Sequence, residues 1–303
     1  MKKILLTGAY ECNRKEIDSL CKLGCEIDFL QNETDPIPNP EDYHAVICNN
    51  FFAYHNINDF LNLKYIQLTS AGFDRVPMHY IEENNIIINN AKGVYSIPIA
   101  EHVVMFALEL MRNSKFFYEN QKNGVWDKHR KLIELYNKTV VIAGCGNVGL
   151  EIAKRLQAFG MNIIGIDIHP VTSMFLSECK DISDLYETAS LADVFISAMP
   201  YTNETHHIFD SIFFENMKDV AIFINVSRGG LVDENALIAA LKTKRIRGAA
   251  LDVFEKEPVP LNDDIWSVDN LIITPHNSFV GDGNNQRLFN VIYDNLKKWL
   301  SIQ

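Results

Sequence analysis

Residues 140–149 read Val140-Val141-Ile142-Ala143-Gly144-Cys145-Gly146-Asn147-Val148-Gly149. An apolar run enters glycines spaced G-x-G-x-x-G, and a stretch with helical periodicity follows. That spacing suits the binding of a phosphate. Gly144 permits a tight turn, Gly146 lets the backbone approach a pyrophosphate, and Gly149 lets the helix pack close to the strand. The free N–H groups at the helix start, from Asn147 and Val148, can then face the negative charge. The next apolar run, Ile163-Ile164-Gly165-Ile166-Asp167, ends in an acid 18 residues after Gly149. A carboxylate there can accept hydrogen bonds from the hydroxyls of an adenosine ribose. Ile168, His169 and Pro170 follow, with no Lys or Arg before Lys180. A 2′-phosphate would meet a carboxylate and no assured cation, so the pattern predicts NAD rather than NADP.

The elements that carry this turn repeat along the second half of the chain. Strands are expected at 139–143, 162–166, 194–197, 221–225, 248–251 and 271–274, with helices such as 148–159 and 234–242 between them. Strand–helix alternation at this spacing implies a parallel sheet covered on both faces. The first 98 residues also alternate, with strands expected at 3–7, 45–48, 65–68 and 86–89. Pro36, Pro38 and Pro40 make residues 32–40 a loop. From Ile99 to Arg112, Val103, Val104, Ala107, Leu108 and Met111 recur at helical spacing and predict a long buried helix. The segment 286–300 places Leu288, Val291, Ile292, Leu296 and Trp299 on one helical face, which needs another part of the chain to cover it.

Composition narrows the function. A chain of 303 residues suits two domains. Its 28 Lys and Arg against 39 Asp and Glu give a net charge of −11, which disfavours nucleic acid and anionic membrane as partners. No apolar run is long enough to span a bilayer, and the first residues read as a strand rather than a signal sequence. Cys12, Cys21, Cys25, Cys48, Cys145 and Cys179 form no C-x-x-C pair, and no Cys/His group has zinc spacing, so no metal is expected. Reduced thiols and a cytoplasmic location are the expectation.

Further motifs bracket the Gly-rich turn in order: Thr69-Ser70-Ala71-Gly72-Phe73-Asp74, Ile99-Ala100-Glu101-His102, Pro200-Tyr201-Thr202 through Thr205, Asn225 to Asp233, Leu251 to Pro258, and Thr274-Pro275-His276. With these motifs the chain resembles the D-isomer-specific 2-hydroxyacid dehydrogenases over nearly its whole length. The resemblance implies two Rossmann-like, doubly wound parallel-sheet domains. The NAD-binding domain would be 99–275, and the substrate domain, discontinuous in sequence, 1–98 with 276–303. It implies a homodimer formed through the nucleotide domain, and a small 2-keto or 2-hydroxy acid as substrate. It also assigns roles. Arg228 would hold the substrate carboxylate and carbonyl with its planar fork. His276 would be the acid and base, and Glu257 would favour its charged form. Backbone N–H groups of Ala71 and Gly72 would hold the substrate carboxylate. Pro200, Thr205, Ser227 and Asp252 join the turn residues and Asp167 at the cofactor, with Asp252 near the nicotinamide amide.

Some residues refine the expectation. Formate dehydrogenases of this fold pair a Gln with the histidine, and Glu257 argues against that reaction. Phosphoglycerate dehydrogenases carry basic residues where this chain has Asn49 to Tyr54, and residues 41–63 contain no Lys or Arg. The chain also ends about 27 residues after His276, without room for a regulatory domain. An unphosphorylated substrate is therefore expected, with phosphoglycerate dehydrogenase as an alternative. Phe51, Phe52, Tyr95 and Phe279 are candidate pocket walls. After His276 the family often has Ile-Gly or Ile-Ala, and this chain has Asn277-Ser278. His102 is expected to be structural, and His206 and His207 solvated. A NAD-sensing corepressor uses similar motifs and is the alternative from another class.

Overall fold

The computed structural model describes residues 1–73 and 75–302. Asp74, the last residue of the Thr69 motif, lies outside the described residues. The chain divides into two compact units, Met1–Tyr95 with Gly281–Gln303, and Ser96–Val280.

The first unit holds β1 (Lys2–Thr7), β2 (Cys25–Leu30), β3 (Ala45–Cys48), β4 (Tyr65–Leu68) and β5 (Ile87–Asn89). Their order is β2-β1-β3-β4-β5, and every pairing is parallel. Strands β3 and β4 are buried along their whole length, as expected of central strands in a sheet covered on both faces. The helix Asn284–Ser301 supplies part of that cover. Its Leu288, Ile292, Leu296 and Trp299 pack with Ile4, Leu6, Ala45, Ile47 and Tyr65. Trp299 stacks on Tyr65 with ring centroids 5.0 Å apart, and Asn295 Nδ2 donates to Gln67 Oε1 at 2.9 Å. Each of these apolar side chains contributes roughly 1.5–3 kcal/mol by leaving water, which fixes the end of the chain to its beginning.

The second unit holds β6 (Thr139–Ala143), β7 (Asn162–Asp167), β8 (Glu178–Asp181), β9 (Val194–Ser197), β10 (Ile222–Asn225), β11 (Gly248–Leu251) and β12 (Leu271–Ile273). The all-parallel order is β12-β11-β10-β9-β6-β7-β8. The winding reverses between β6 and β9, where doubly wound sheets open a crevice at the carboxyl ends of their strands. The long helix Ser96–Arg112 lies on this sheet. Ala100, Val103, Phe106, Ala107 and Met111 share a core with Val140, Ile142, Val194, Ile222 and Ala250. No helix among the described residues is long and apolar enough to cross a membrane.

Strands β2 and β8 were not expected from the sequence; both lie at sheet edges and carry charged residues. The unit junctions fall at 95/96 and 280/281 rather than at 98/99 and 275/276. Ser96 already begins the long helix, with Pro98 in its first turn, where a missing N–H costs nothing. Residues 276–278 are bonded to Asp252 of the second unit.

Candidate active site

The Gly-rich turn is shaped by contacts that a methyl group would break. Gly144 has φ +94°, and a Cβ there would stand 2.6 Å from the carbonyl of Ala198. A Cβ on Gly149 would stand 2.0 Å from Gly144 O, so the helix Asn147–Gln157 sits directly on the turn. At Gly146, by contrast, a Cβ would meet nothing within 4 Å. Gly146 and Asn147 are exposed, and Val148 is half-buried. The turn is thus closed on its inner side and open at the helix N-terminus, a cradle for an anion. Asp167 ends β7 beside it: Oδ2 accepts from Cys145 N at 2.8 Å and Oδ1 from His169 N at 3.0 Å. Cys145 is buried, and its Sγ lies 3.6 Å from Cys179 Sγ.

Arg228, Glu257 and His276 all lie on the second unit, in segments that follow β10, β11 and β12. Asn225, fully buried at the end of β10, fixes the first segment. Its Nδ2 donates to Arg228 O at 2.9 Å, and its Oδ1 accepts from Ser227 N at 3.1 Å and Ser227 Oγ at 2.9 Å. Ser227 Oγ is also 2.9 Å from Ser197 Oγ. Arg228 Nη1 donates to Ser227 O at 2.8 Å. Gly229 then presses against the next segment: a Cβ there would lie 1.8 Å from Phe254 C. That contact joins the Arg228 loop to the one carrying Glu257.

Glu257 has two partners. Oε1 accepts from Phe254 N at 3.0 Å, and Oε2 is 2.8 Å from His276 Nδ1. A carboxylate can only accept, so Nδ1 carries the hydrogen and Nε2 is left for chemistry. Both side chains are about one-third exposed, 36% for His276 and 37% for Glu257. His276 has φ +51°, an uncommon conformation for a residue with a Cβ. Asp252 holds it there. His276 N donates to Asp252 O at 2.7 Å, and the Asp252 carboxylate accepts from Thr274 Oγ1 at 2.5 Å, Asn277 N at 2.8 Å and Ser278 N at 2.9 Å. Asp252 is 0% exposed. Its carboxylate thus serves the loop that carries His276. The Asn277-Ser278 departure is accommodated through backbone N–H groups, which any residue supplies.

The remaining expected residues divide between the two units. Pro200 is exposed and its carbonyl accepts from Thr205 Oγ1 at 3.2 Å; Thr202 N donates to the same hydroxyl at 2.7 Å. Ala71 and Gly72 follow β4 on the first unit. The Ala71 carbonyl accepts from Asn90 Nδ2, and the Gly72 carbonyl from Ser70 Oγ at 3.2 Å. Phe51 is corrected: it is 0% exposed and stacks on His55 at 4.2 Å, a core residue and not a pocket wall. Phe52 and Tyr95 are half-buried, while Phe279 is exposed with its ring edge-on to His276 at 6.1 Å. Arg75 Nη1 donates to Asn49 Oδ1 at 3.2 Å, so a cation from a later loop reaches the strand end that residues 41–63 leave without one. His102 meets Phe106 edge-on, and its Nε2 is 3.3 Å from Thr274 Oγ1. Burial lowers its pKa, partly offset by Asp252.

The D-isomer specific 2-hydroxyacid dehydrogenase NAD binding domain matches residues 104–278. The chain belongs to the D-isomer-specific 2-hydroxyacid dehydrogenase family. It is 33% identical to a glyoxylate reductase of Thermofilum pendens over 275 residues, 85% of this chain and 80% of that protein. It is 38% identical to a D-3-phosphoglycerate dehydrogenase of Methanocaldococcus jannaschii over 242 residues, 78% of this chain and 46% of that one. The chain thus spans about half the length of the phosphoglycerate dehydrogenases it matches. A D-isomer specific 2-hydroxyacid dehydrogenase family protein of Aeromonas salmonicida has the same fold, with 28% identity and a TM-score of 0.85 over 100% of this chain and 96% of that one. Asn225 and Thr274 stand in the motifs without a role of their own, and Ser197 stands only as the end of an expected strand; the structure gives all three hydrogen bonds that hold the site. Their signal was a polar side chain ending or following an apolar strand.

Proposed function

We propose that this dehydrogenase-family chain transfers a hydride between NAD(H) and a small 2-keto acid, giving the D-2-hydroxy acid. The observation that carries this is the Glu257–His276 pair, locked by Asp252, on the same unit as the Gly-rich turn. The open face at Gly146 fits a pyrophosphate, which Asn147 and Val148 would hold by their N–H groups. Asp167 would take the ribose hydroxyls. Pro200, Thr205 and Ser227 would line the rest of the cofactor. NADH supplies the hydride when bound.

The protein's own share is charge and proton placement. Arg228 binds the substrate carboxylate and polarises the keto oxygen. As negative charge builds on that oxygen, His276 gives it the proton on Nε2. Glu257 keeps the Nδ1 hydrogen in place and balances the ring's charge. In oxidation Nε2 takes the proton back. Asp252 and Asn225 are positioning residues for His276 and Arg228. The backbone of Ala71 and Gly72 is assigned to a carboxylate of the substrate.

The absence of Lys and Arg from 41–63 supports an unphosphorylated side group. Arg75 beside Asn49 favours a second reading, a substrate with an anionic side group. Loss of NADH absorbance with glyoxylate, hydroxypyruvate, pyruvate and 3-phosphohydroxypyruvate decides between them. The best kcat/KM should fall to an unphosphorylated member. Preference for the phosphorylated one establishes the second reading, and no turnover with any member removes the proposed activity.

We also propose a two-fold homodimer. The long helix buries most of its apolar face within its own unit, so its composition alone does not demand a partner. Trp126 at 96% exposure, with Tyr118 and Val125 also exposed on that unit, supports one. Light scattering should give twice the chain mass at micromolar concentration; a monomer refutes it.

A further inference from the structure

Three ligand-type side chains outside the proposed machinery meet on the second unit. One ligand atom from each of His206, His207 and Glu255 lies within 4.8 Å of the other two. The sequence hides this grouping, because Glu255 is 48 residues from His207 and no zinc spacing results. Neighbouring side chains of an extended strand point to opposite faces. His207 instead has a left-handed backbone with φ 52°. The two imidazoles stack, with centroids 3.9 Å apart and planes 24° from parallel. His207 Nε2 contacts the Glu255 carboxylate, and the Tyr201 hydroxyl, 3.3 Å from His206 Nδ1, restrains the other ring.

Main-chain hydrogen bonds hold the His207 and Glu255 segments in place. His207 N donates to Gly230 O at 2.9 Å, and Phe209 N to Leu231 O at 3.0 Å. Glu255 N donates to Glu234 Oε1 at 2.8 Å, which also sets a second carboxylate beside the cluster. A ligand arriving here has little chain left to order, and rigid placement is what a metal site requires.

We propose that His206, His207 and Glu255 bind a divalent transition ion of the zinc, nickel and copper class. Two imidazoles and one carboxylate form a donor set suited to these ions, whereas magnesium and calcium take oxygen ligands. Metal–nitrogen bonds of about 2.0–2.1 Å place the ligand atoms of a tetrahedral site about 3.4 Å apart. Reaching that spacing requires the two imidazoles to turn out of their stack so that their lone pairs converge, and water completes the shell. Binding would clamp the segment after Thr205 to the segment that leads into Glu257.

The test is calorimetric titration of the full chain with nickel, for which the thiols compete less than for zinc. It is repeated on His207→Asn and Glu255→Gln. Asn tolerates a left-handed backbone, so the first variant removes a ligand and keeps the turn. Glu255→Gln removes the charge from the opposite segment, and the metal-free melting temperature of each variant checks its fold. The proposal expects one equivalent of nickel bound by the wild type, binding weakened roughly tenfold or more in both variants, and no heat with magnesium. Equal nickel binding in the wild type and both variants, or no binding by the wild type at millimolar nickel, overturns it.

Discussion

Replacing Glu257 by Gln changes one oxygen and removes one charge, and the geometry sets its cost. The carboxylate accepts twice, from Phe254 N at 3.0 Å and from His276 Nδ1 at 2.8 Å. An amide has one acceptor and one donor end. If its oxygen stays on Phe254 N, its NH₂ faces the Nδ1 hydrogen, and the ring must give up that hydrogen or turn. If it flips, the Phe254 N–H loses its acceptor. Either way a hydrogen bond to a charged group is lost, worth about 1.5–3 kcal/mol. At about 1.4 kcal/mol per factor of ten, that is a loss of about tenfold to 150-fold in rate. The partial exposure of both side chains, 36% and 37%, places the effect toward the lower end. The loss should fall equally on kcat/KM in both directions, because the substitution cannot move the overall equilibrium, and in oxidation it should show in kcat, where the ring gains its charge as it takes the proton. The assay is steady-state NADH oxidation with the best 2-keto acid, and NAD⁺ reduction with its product. A Glu257→Gln enzyme within about threefold of wild type in both directions would refute the pairing, since less than about 1 kcal/mol would then rest on it.

Three further outcomes follow from the same coordinates. Asp167 faces the turn with no Lys or Arg before Lys180, so kcat/KM should favour NADH over NADPH by at least roughly 1–3 kcal/mol; equal use of both would undo the role given to Asp167. Gly229→Ala would drive a Cβ to 1.8 Å from Phe254 C and should separate the Arg228 and Glu257 segments, costing at least about tenfold in kcat/KM on the scale of a few kcal/mol of overpacking; an unimpaired variant would show that the two segments need not touch. Burial lowers the pKa of His102, while the unfolded chain takes up that proton near pH 6.5. Stability should therefore fall as pH drops below about 6.5, by at most about 1.4 kcal/mol per pH unit from this group. Glu109 and Glu234, both raised by burial, act in the opposite sense above their ordinary range, so the measurement is the difference in urea midpoint between wild type and His102→Gln from pH 7.5 to 5.5. A difference that does not change with pH would contradict the assignment.

Much of this was legible because the determining forces are local. The Gly-rich turn can be read from three residues, since Gly144 and Gly149 each answer a separate steric demand and Gly146 leaves the outer face open. The terminal helix announced an uncovered face, and Leu288, Ile292, Leu296 and Trp299 are the residues that found cover. What escaped depends on partners distant in sequence. Glu178-Cys179-Lys180-Asp181 has no strand character of its own and is a strand because β7 offers it a parallel edge. Asp252, expected beside the nicotinamide amide, also takes donors from 274, 277 and 278, which no local pattern reveals. Phe51 is aromatic and next to a strand end, yet packing with His55 and Phe60 takes it into the core. His206 and His207 read as solvated residues, because nothing local tells of Glu255.

Arg228, Glu257 and His276 on this fold should reduce a 2-keto acid with D stereochemistry. The most direct measurement is chiral chromatography of the product made from NADH and the best keto acid whose product is chiral, pyruvate or hydroxypyruvate among them. The D-2-hydroxy acid alone is expected, with formation slowed roughly 10²–10⁴-fold in His276→Ala. An L product, or an undiminished rate without His276, would contradict it.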